Sequence, residues 1–387
     1  MNPLFAGLMD KAAHLTRHGR LAEATEAIQR ALRSGAGPQP AAPDGSHLSK
    51  ADSDVIEVEA RVIDVERPTQ APRATEGTEQ WVKGTFAHQG RTIHYMLFVP
   101  VPAAEQRESP QPLIVMLHGC TQNAADFAAG TRMNEHARAC GAMVLYPEQA
   151  QRANGQKCWN WFKSQHQQRD RGEPALLAAL TQHITQQQHA DRHRVYVAGL
   201  SAGGAMADVL GHCYPDVYAA VGVHSGLPHG AAHDVTSALS AMRTGAARGS
   251  AGATAKRPPT IVFHGDADTT VHANNGLAIL AGAMPGEVKD GQSPSGRRFT
   301  RTLYPASQAC GDSEHWRLHG TGHAWSGGSA HGSYTQPEGV DASREMLRFF
   351  LAHRLLVLRQ ESQVCQRSVW ILDSLGWQKK DTDKSTD

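Results

Sequence analysis

Seven short runs between residues 92 and 320 are apolar almost throughout rather than alternating: TIHYMLFVP, LIVMLHG, AMVLYPE, RVYVAG, YAAVGVHSG, TIVFHG and HWRLHG. A strand of that kind is buried on both faces and needs a layer of chain above and below it. The intervening stretches near 126–139, 173–188, 202–213, 275–283 and 340–355 carry helical spacing and supply those layers. Helices acting as crossovers between buried strands give a mostly parallel central sheet flanked by helices, so the class is α/β. A chain of 387 residues can hold one such core with length to spare.

The spare length lies at the two ends. Residues 3–33 read as a helical hairpin, with Leu4, Leu8, Met9, Ala12 and Leu15 on one stripe, a break at Gly19, and Leu21, Ala24, Ile28 and Leu32 on the next. Its second half is similar to one helix of a tetratricopeptide unit, but no second copy follows to bury it. The hairpin therefore packs on its own domain or another subunit, or docks a protein or granule partner. From these patterns the expected division is 1–33 hairpin, 34–75 flexible linker rich in Gly, Pro and Ser, 76–356 catalytic domain and 357–387 polar tail.

Charge and composition remove several function classes. Lys and Arg number 38 against 37 Asp and Glu, a net +1 that provides no field to steer nucleic acid. No apolar run reaches the roughly 18 residues of a membrane span. Charges interrupt MNPLFAGLMDKAAHLTRHGR where an export signal needs an apolar stretch, so the expected location is cytoplasmic. Six cysteines without C-x-x-C pairs and 22 histidines without H-E-x-x-H spacing give no metal site.

RVYVAGLSAGGAM, residues 194–206, sets a buried strand against GLSAG and then a helix. In that context G-x-S-x-G is a nucleophile turn: Gly199 and Gly203 admit a tight strand-to-helix reversal, and Ser201 is lifted toward a helix N-terminus. A serine hydroxyl needs a base oriented by a carboxylate. TIVFHGDADTTV places Asp266 and Asp268 after a later strand, and LHGTGHAWSGG places His323 after a further one, in the order serine, acid, histidine. Asp268 is the preferred acid, since Asp266 directly follows Gly265 and is suited to capping its own turn.

Acyl transfer also requires donors for an oxyanion. Ala202, next after the serine, offers one N–H, and the loop in LIVMLHGCTQNAADF offers another, with Cys120 preferred over Gly119 or Thr121. Cys120 as the nucleophile is the poorer alternative because no glycine-flanked turn carries it. The Gly- and Ala-rich connection 226–259 reads equally as a lid or as a structureless insertion.

With LHGCTQNAADFA, VLYPEQ, CWNWF, VAGLSAGGAM, HGDADTTV, GHAWSGG and DASREMLRFF in this order, residues 80–355 resemble the polyhydroxybutyrate depolymerase family of esterases. That family is related to feruloyl and acetylxylan esterases in the α/β-hydrolase superfamily. The resemblance implies an α/β-hydrolase fold without a cofactor, and Ser201 as nucleophile, Asp268 as acid and His323 as base, in agreement with the reading above. It further implies that Trp159, Trp161 and Trp325 contact the acyl or polymer portion of the substrate, core packing being the other reading for Trp159 and Trp161. Many such depolymerases are secreted, which makes an extracellular location the alternative. Whether Cys120 pairs with Cys158 depends on a Cα separation that sequence does not supply. The expected activity is cleavage of polyhydroxybutyrate or short 3-hydroxyalkanoate oligomers through an acyl-enzyme. The rivals are a feruloyl or acetylxylan esterase and an inactive hydrolase fold kept for binding.

Overall fold

The protein is described here from a computed structural model covering residues 78–102, 109–246, 257–307, 310–355, 369–373 and 376–380. The expected hairpin and linker at 1–75 lie outside the described residues. The strands are β1 (Gln80–His88), β2 (Arg91–Val99), β3 (Leu113–Leu117), β4 (Met143–Glu148), β5 (Val195–Leu200), β6 (Ala220–His224), β7 (Thr260–Gly265), β8 (Val288–Gln292), β9 (Arg298–Tyr304) and β10 (Ser313–Leu318). They form one sheet in the order β1-β2-β4-β3-β5-β6-β7-β10-β9-β8. The consecutive neighbours from β4 through β10 pair in parallel, and the two strands at each edge, β1 with β2 and β9 with β8, pair antiparallel. A mostly parallel sheet follows, because every residue of β3, β5, β6 and β7 is buried and both faces need cover.

Helices α1 (Ala124–Thr131), α2 (Met133–Cys140), α3 (Gly172–Gln187), α4 (Ala202–Cys213), α5 (Val235–Thr244), α6 (Asn274–Ile279) and α7 (Ala342–Leu351) supply that cover. Two apolar layers result. One gathers Val197, Leu177, Met206 and Val262, and the other Tyr196, Phe263, Met346 and Phe350. Among the described residues no helix is long and apolar enough to cross a membrane.

Several elements depart from expectation. The helix expected at 126–139 is broken into α1 and α2 by Arg132, whose φ of 56° ends one helix and starts the next. The connection 226–259 contains α5, started by a capping box between Asp234 and Ser237. The outer strands β1, β8 and β9 add to the seven runs read from sequence. β1 alternates between half-buried and exposed positions, and four of the five residues of β8 are exposed, so neither has a buried run to announce it. Within the polar tail, β11 (Val369–Asp373) and β12 (Gly376–Lys380) pair as an antiparallel ribbon.

Candidate active site

The parallel register puts the ends of β3, β5, β6, β7 and β10 along one rim of the sheet, and each contributes a loop to the same place. Ser201 follows β5 with φ 58° and ψ −120°, a conformation that L-residues rarely adopt. Its N–H donates to the His224 carbonyl at 2.9 Å and its carbonyl accepts from Ala205 N–H at 2.9 Å, so both sides of the turn are tied down. The glycines are required by close approach. A Cβ on Gly199 would stand 2.4 Å from the backbone of Gly203, and one on Gly203 would stand 2.1 Å from the Leu117 carbonyl oxygen.

Asp268, after β7, is held from both sides. Its Oδ1 accepts from the Thr270 and Val271 N–H groups at 2.9 and 2.8 Å, and its Oδ2 accepts from His323 Nδ1 at 2.7 Å. A second imidazole, His264, has its Nε2 3.6 Å from the same oxygen. Burial pushes the Asp268 carboxyl up, but the nearby His264, the hydrogen bond and charge of His323 and the Val271 N–H outweigh it and hold the group far below the usual carboxylate range.

The loop carrying His323 runs from β10 back across the rim. Ala267 N–H donates to the Thr321 carbonyl over the end of β7, and Ser326 N–H donates to His224 Nε2 at the end of β6. The imidazole is thereby bracketed between β7 and β6, and His224 is the residue whose carbonyl holds Ser201. Among the described residues no hydrogen bond joins Ser201 Oγ to His323. Asp268 and His323 are brought into direct contact, and Ser201 is placed on the adjoining loop. A serine–histidine contact that is loose in the free protein is common and tightens with substrate.

Asp266 is engaged elsewhere. It accepts from Gly320 N–H at 2.7 Å and pairs with His319 Nδ1 at 2.8 Å, and His319 in turn meets Thr300 on the outer strand β9. Asp268 is the aspartate bonded to His323, and the turn-capping expected of Asp266 is found differently. Asp268 binds the N–H groups of its own loop, whereas Asp266 caps the neighbouring one.

Cys120 and Ala202, the expected oxyanion donors, lie on the loop after β3 and at the start of α4. Ala202 is the first residue of α4, so its N–H has no carbonyl a turn earlier to bond. The loop after β3 comes close, since a Cβ on Gly119 would lie 3.7 Å from Ser201 Cβ. Gly119 N–H is taken by Gln122 Oε1 at 2.9 Å and Thr121 N–H by the Gln156 carbonyl at 2.7 Å. The N–H of Cys120 lies between them and donates to no acceptor among the described residues. Cys120 is joined to Cys158 by a disulfide with a Cα separation of 4.2 Å, so the pairing left open by the sequence is present.

The three tryptophans belong to the interior. Trp159 is 1% exposed and donates its indole N–H to the His118 carbonyl at 3.0 Å. Trp161 is buried against Phe162 in the same layer. Trp325 is equally buried, stacks on His224 and donates to Ser343 Oγ at 3.1 Å. The expectation that these rings contact substrate is corrected accordingly: their faces are filled by protein, and each braces a loop of the site from behind. Sequence reasoning missed several residues of this scaffold. His118, locked neutral by burial with its pKa lowered to about 4, donates from Nδ1 to the Gly119 carbonyl and accepts from Gln149 N–H. Gln122 ties Gly119 to Ser333. Both lie inside the LHGCTQ stretch already singled out, where their polarity beside a buried strand was the available signal. Among the described residues no group of three or more His, Cys, Asp or Glu side chains could hold a metal ion.

Residues 93–281 match the family model described as esterase PHB depolymerase. Over those residues, just under half of the chain, the sequence is similar to that family. Its relatives include poly(3-hydroxyalkanoate) depolymerase C of Paucimonas lemoignei, 34% identical over 46% of this chain and 45% of that protein. Feruloyl esterase B of Thermothelomyces thermophilus is 29% identical, over 48% of this chain and 67% of that protein. Probable acetylxylan esterase A of Aspergillus fumigatus is 26% identical, over 53% and 58% respectively. The chain thus spans about half the length of these curated relatives. The acetyl xylan esterase from Aspergillus awamori superposes with a TM-score of 0.53 at 20% identity, over 64% of this chain and 94% of that one, and so shares its fold.

Proposed function

We propose that the chain is a serine carboxylic-ester hydrolase that cleaves polyhydroxybutyrate or short 3-hydroxyalkanoate oligomers. One observation carries the proposal: a serine in a strained turn at a helix N-terminus shares a rim with a buried aspartate and a histidine already hydrogen-bonded to each other. Because His323 donates from Nδ1 to Asp268, its Nε2 is left with a lone pair to act as base. Ser201 Oγ attacks the ester carbonyl carbon as its proton passes to Nε2, and the carbonyl oxygen becomes an anion facing the Cys120 and Ala202 N–H groups. The bond to the alkoxy oxygen then breaks, that oxygen takes the proton from Nε2, and an alcohol leaves an acyl group on Ser201. Water adds to the acyl carbon, giving its proton to Nε2, and collapse returns that proton to Ser201 as the carboxylic acid departs. The pathway uses no cofactor.

The relatives support an ester substrate but differ in their named substrates, so pocket shape and not the machinery selects among them. A feruloyl or acetylxylan esterase is the second reading, favoured by the extent of the superposition on the Aspergillus awamori enzyme. The Cys120–Cys158 disulfide supports an oxidising compartment, hence the extracellular alternative over a cytoplasmic location. The decisive experiment compares wild type with Ser201→Ala on p-nitrophenyl butyrate, then measures 3-hydroxybutyrate released from polymer against ferulate or acetate released from xylan. Loss of turnover by several orders of magnitude with the fold intact is expected. A variant as active as wild type ends the Ser201 mechanism, and failure of a fluorophosphonate to label Ser201 in folded protein returns the chain to the inactive binding reading.

A further inference from the structure

The three indoles being interior, the apolar surface that a substrate meets at this rim comes from another residue. We propose that Tyr334 forms a substrate-contacting wall beside the oxyanion donors and takes the apolar portion of the ester; this rests on the esterase reading above. Tyr334 is 47% exposed, in contrast to Trp159, Trp161 and Trp325. Its φ of 53° puts a bulky aromatic residue in the left-handed region, which such residues avoid unless the surroundings impose it.

The surroundings do impose it. Tyr334 Oη lies 3.2 Å from Thr121 Oγ1, and that hydroxyl donates to the Cys120 carbonyl at 2.6 Å. The Tyr334 carbonyl accepts from Trp325 N–H at 2.7 Å, two residues beyond His323. The residue therefore spans the gap between the oxyanion loop and the histidine loop. Its predecessor is anchored as well, since Ser333 N–H donates to Asp126 Oδ1 at 2.9 Å and the Ser333 carbonyl accepts from Gln122 Nε2 at 3.1 Å. Gly332 presses on α1 so closely that a Cβ there would stand 2.3 Å from Gly130 Cα. A rigid ring left half in water beside a nucleophile turn has its contact area preorganised and unfilled, which is what an apolar group can use.

The test uses the full chain and p-nitrophenyl butyrate, with Y334N and Y334F. Asparagine tolerates left-handed backbone, so Y334N removes the ring while keeping the turn, and Y334F keeps the ring while removing only the hydroxyl. The expected result is a KM raised about 5- to 10-fold in Y334N with kcat within about 3-fold, and Y334F near wild type. An unchanged KM in Y334N overturns the wall, as does an equal loss in both variants, which would assign the effect to the Thr121 bond. Wild-type protein that neither turns over the ester nor labels at Ser201 overturns the esterase reading itself. Active wild type with an indifferent Y334N overturns the wall alone.

Discussion

Cys120 is covalently bound to Cys158, so the loop after β3 is strapped to the same segment whose Trp159 holds the His118 carbonyl. The disulfide closes a loop across a sequence separation of 38, for which chain entropy predicts about 3–4 kcal/mol of stabilisation. Replacing both cysteines by serine is expected to lower unfolding stability by roughly 2–4 kcal/mol in urea titration. It should also lower kcat more than it raises KM, because the strap positions a donor that matters most when the oxyanion forms. Equal stability and kcat in the double variant would show that the strap is passive.

The rim holds two aspartate–histidine pairs, and substitution separates them. Asp268→Asn keeps the size of the side chain but no longer anchors the Nδ1–H tautomer of His323, and should reduce kcat by about 10³–10⁴ with the fold retained. Asp266→Asn keeps an oxygen for Gly320 N–H but loses the ion pair with His319 at a site about a fifth exposed, and should leave kcat within about 2-fold. Steady-state kinetics on one ester decide the assignment, and a larger loss in the Asp266 variant would reverse it.

How much of this was legible depended on burial. Strands such as Leu113–Leu117 and Val195–Leu200 are buried at every residue, and an unbroken apolar run states that directly. The edge strands β1 and β8 are stabilised by pairing rather than burial, so their composition says little. Ser201, Asp268 and His323 could be named because each follows a buried strand in a recognisable turn. The tryptophans misled because a large aromatic near a motif looks the same whether it faces substrate or supports the loop from the core. Tyr334 carried no sequence signal, since its exposure arises from Ser333 and Gly332 being pinned to α1 more than 200 residues earlier in the chain.

Three buried histidines make the fold acid-sensitive. Burial lowers the pKa of His118 to about 4, of His224 to about 3 and of His315 to about 4, with repulsion from His264 adding to the last two. In the unfolded chain a histidine takes up a proton near pH 6.5. Their neutral burial therefore costs nothing above that value, and stability falls as pH drops from about 6.5 toward 4, each contributing up to about 1.4 kcal/mol per pH unit. The carboxylates with depressed pKa, Asp268 among them, add to the loss only below about pH 4. Urea midpoints should be lower at pH 5 than at pH 7.5, with no change between pH 7.5 and 8.5 from these groups. His315→Leu, which removes a side chain with no hydrogen bond among the described residues, should flatten the drop.

Trp159→Phe distinguishes a bracing indole from a substrate-binding one. Phenylalanine retains most of the buried area but cannot donate to the His118 carbonyl, which then loses its partner in a dry site. A net loss of about 1–2 kcal/mol in stability is expected from the unsatisfied acceptor. Because His118 also fixes the Gly119 carbonyl and Gln149 N–H, the displacement reaches the Cys120 donor and should lower kcat. The KM for p-nitrophenyl butyrate should stay unchanged, since the ring has no face toward solvent. Kinetics showing the reverse, KM raised with kcat and stability intact, would put the indole in contact with substrate after all.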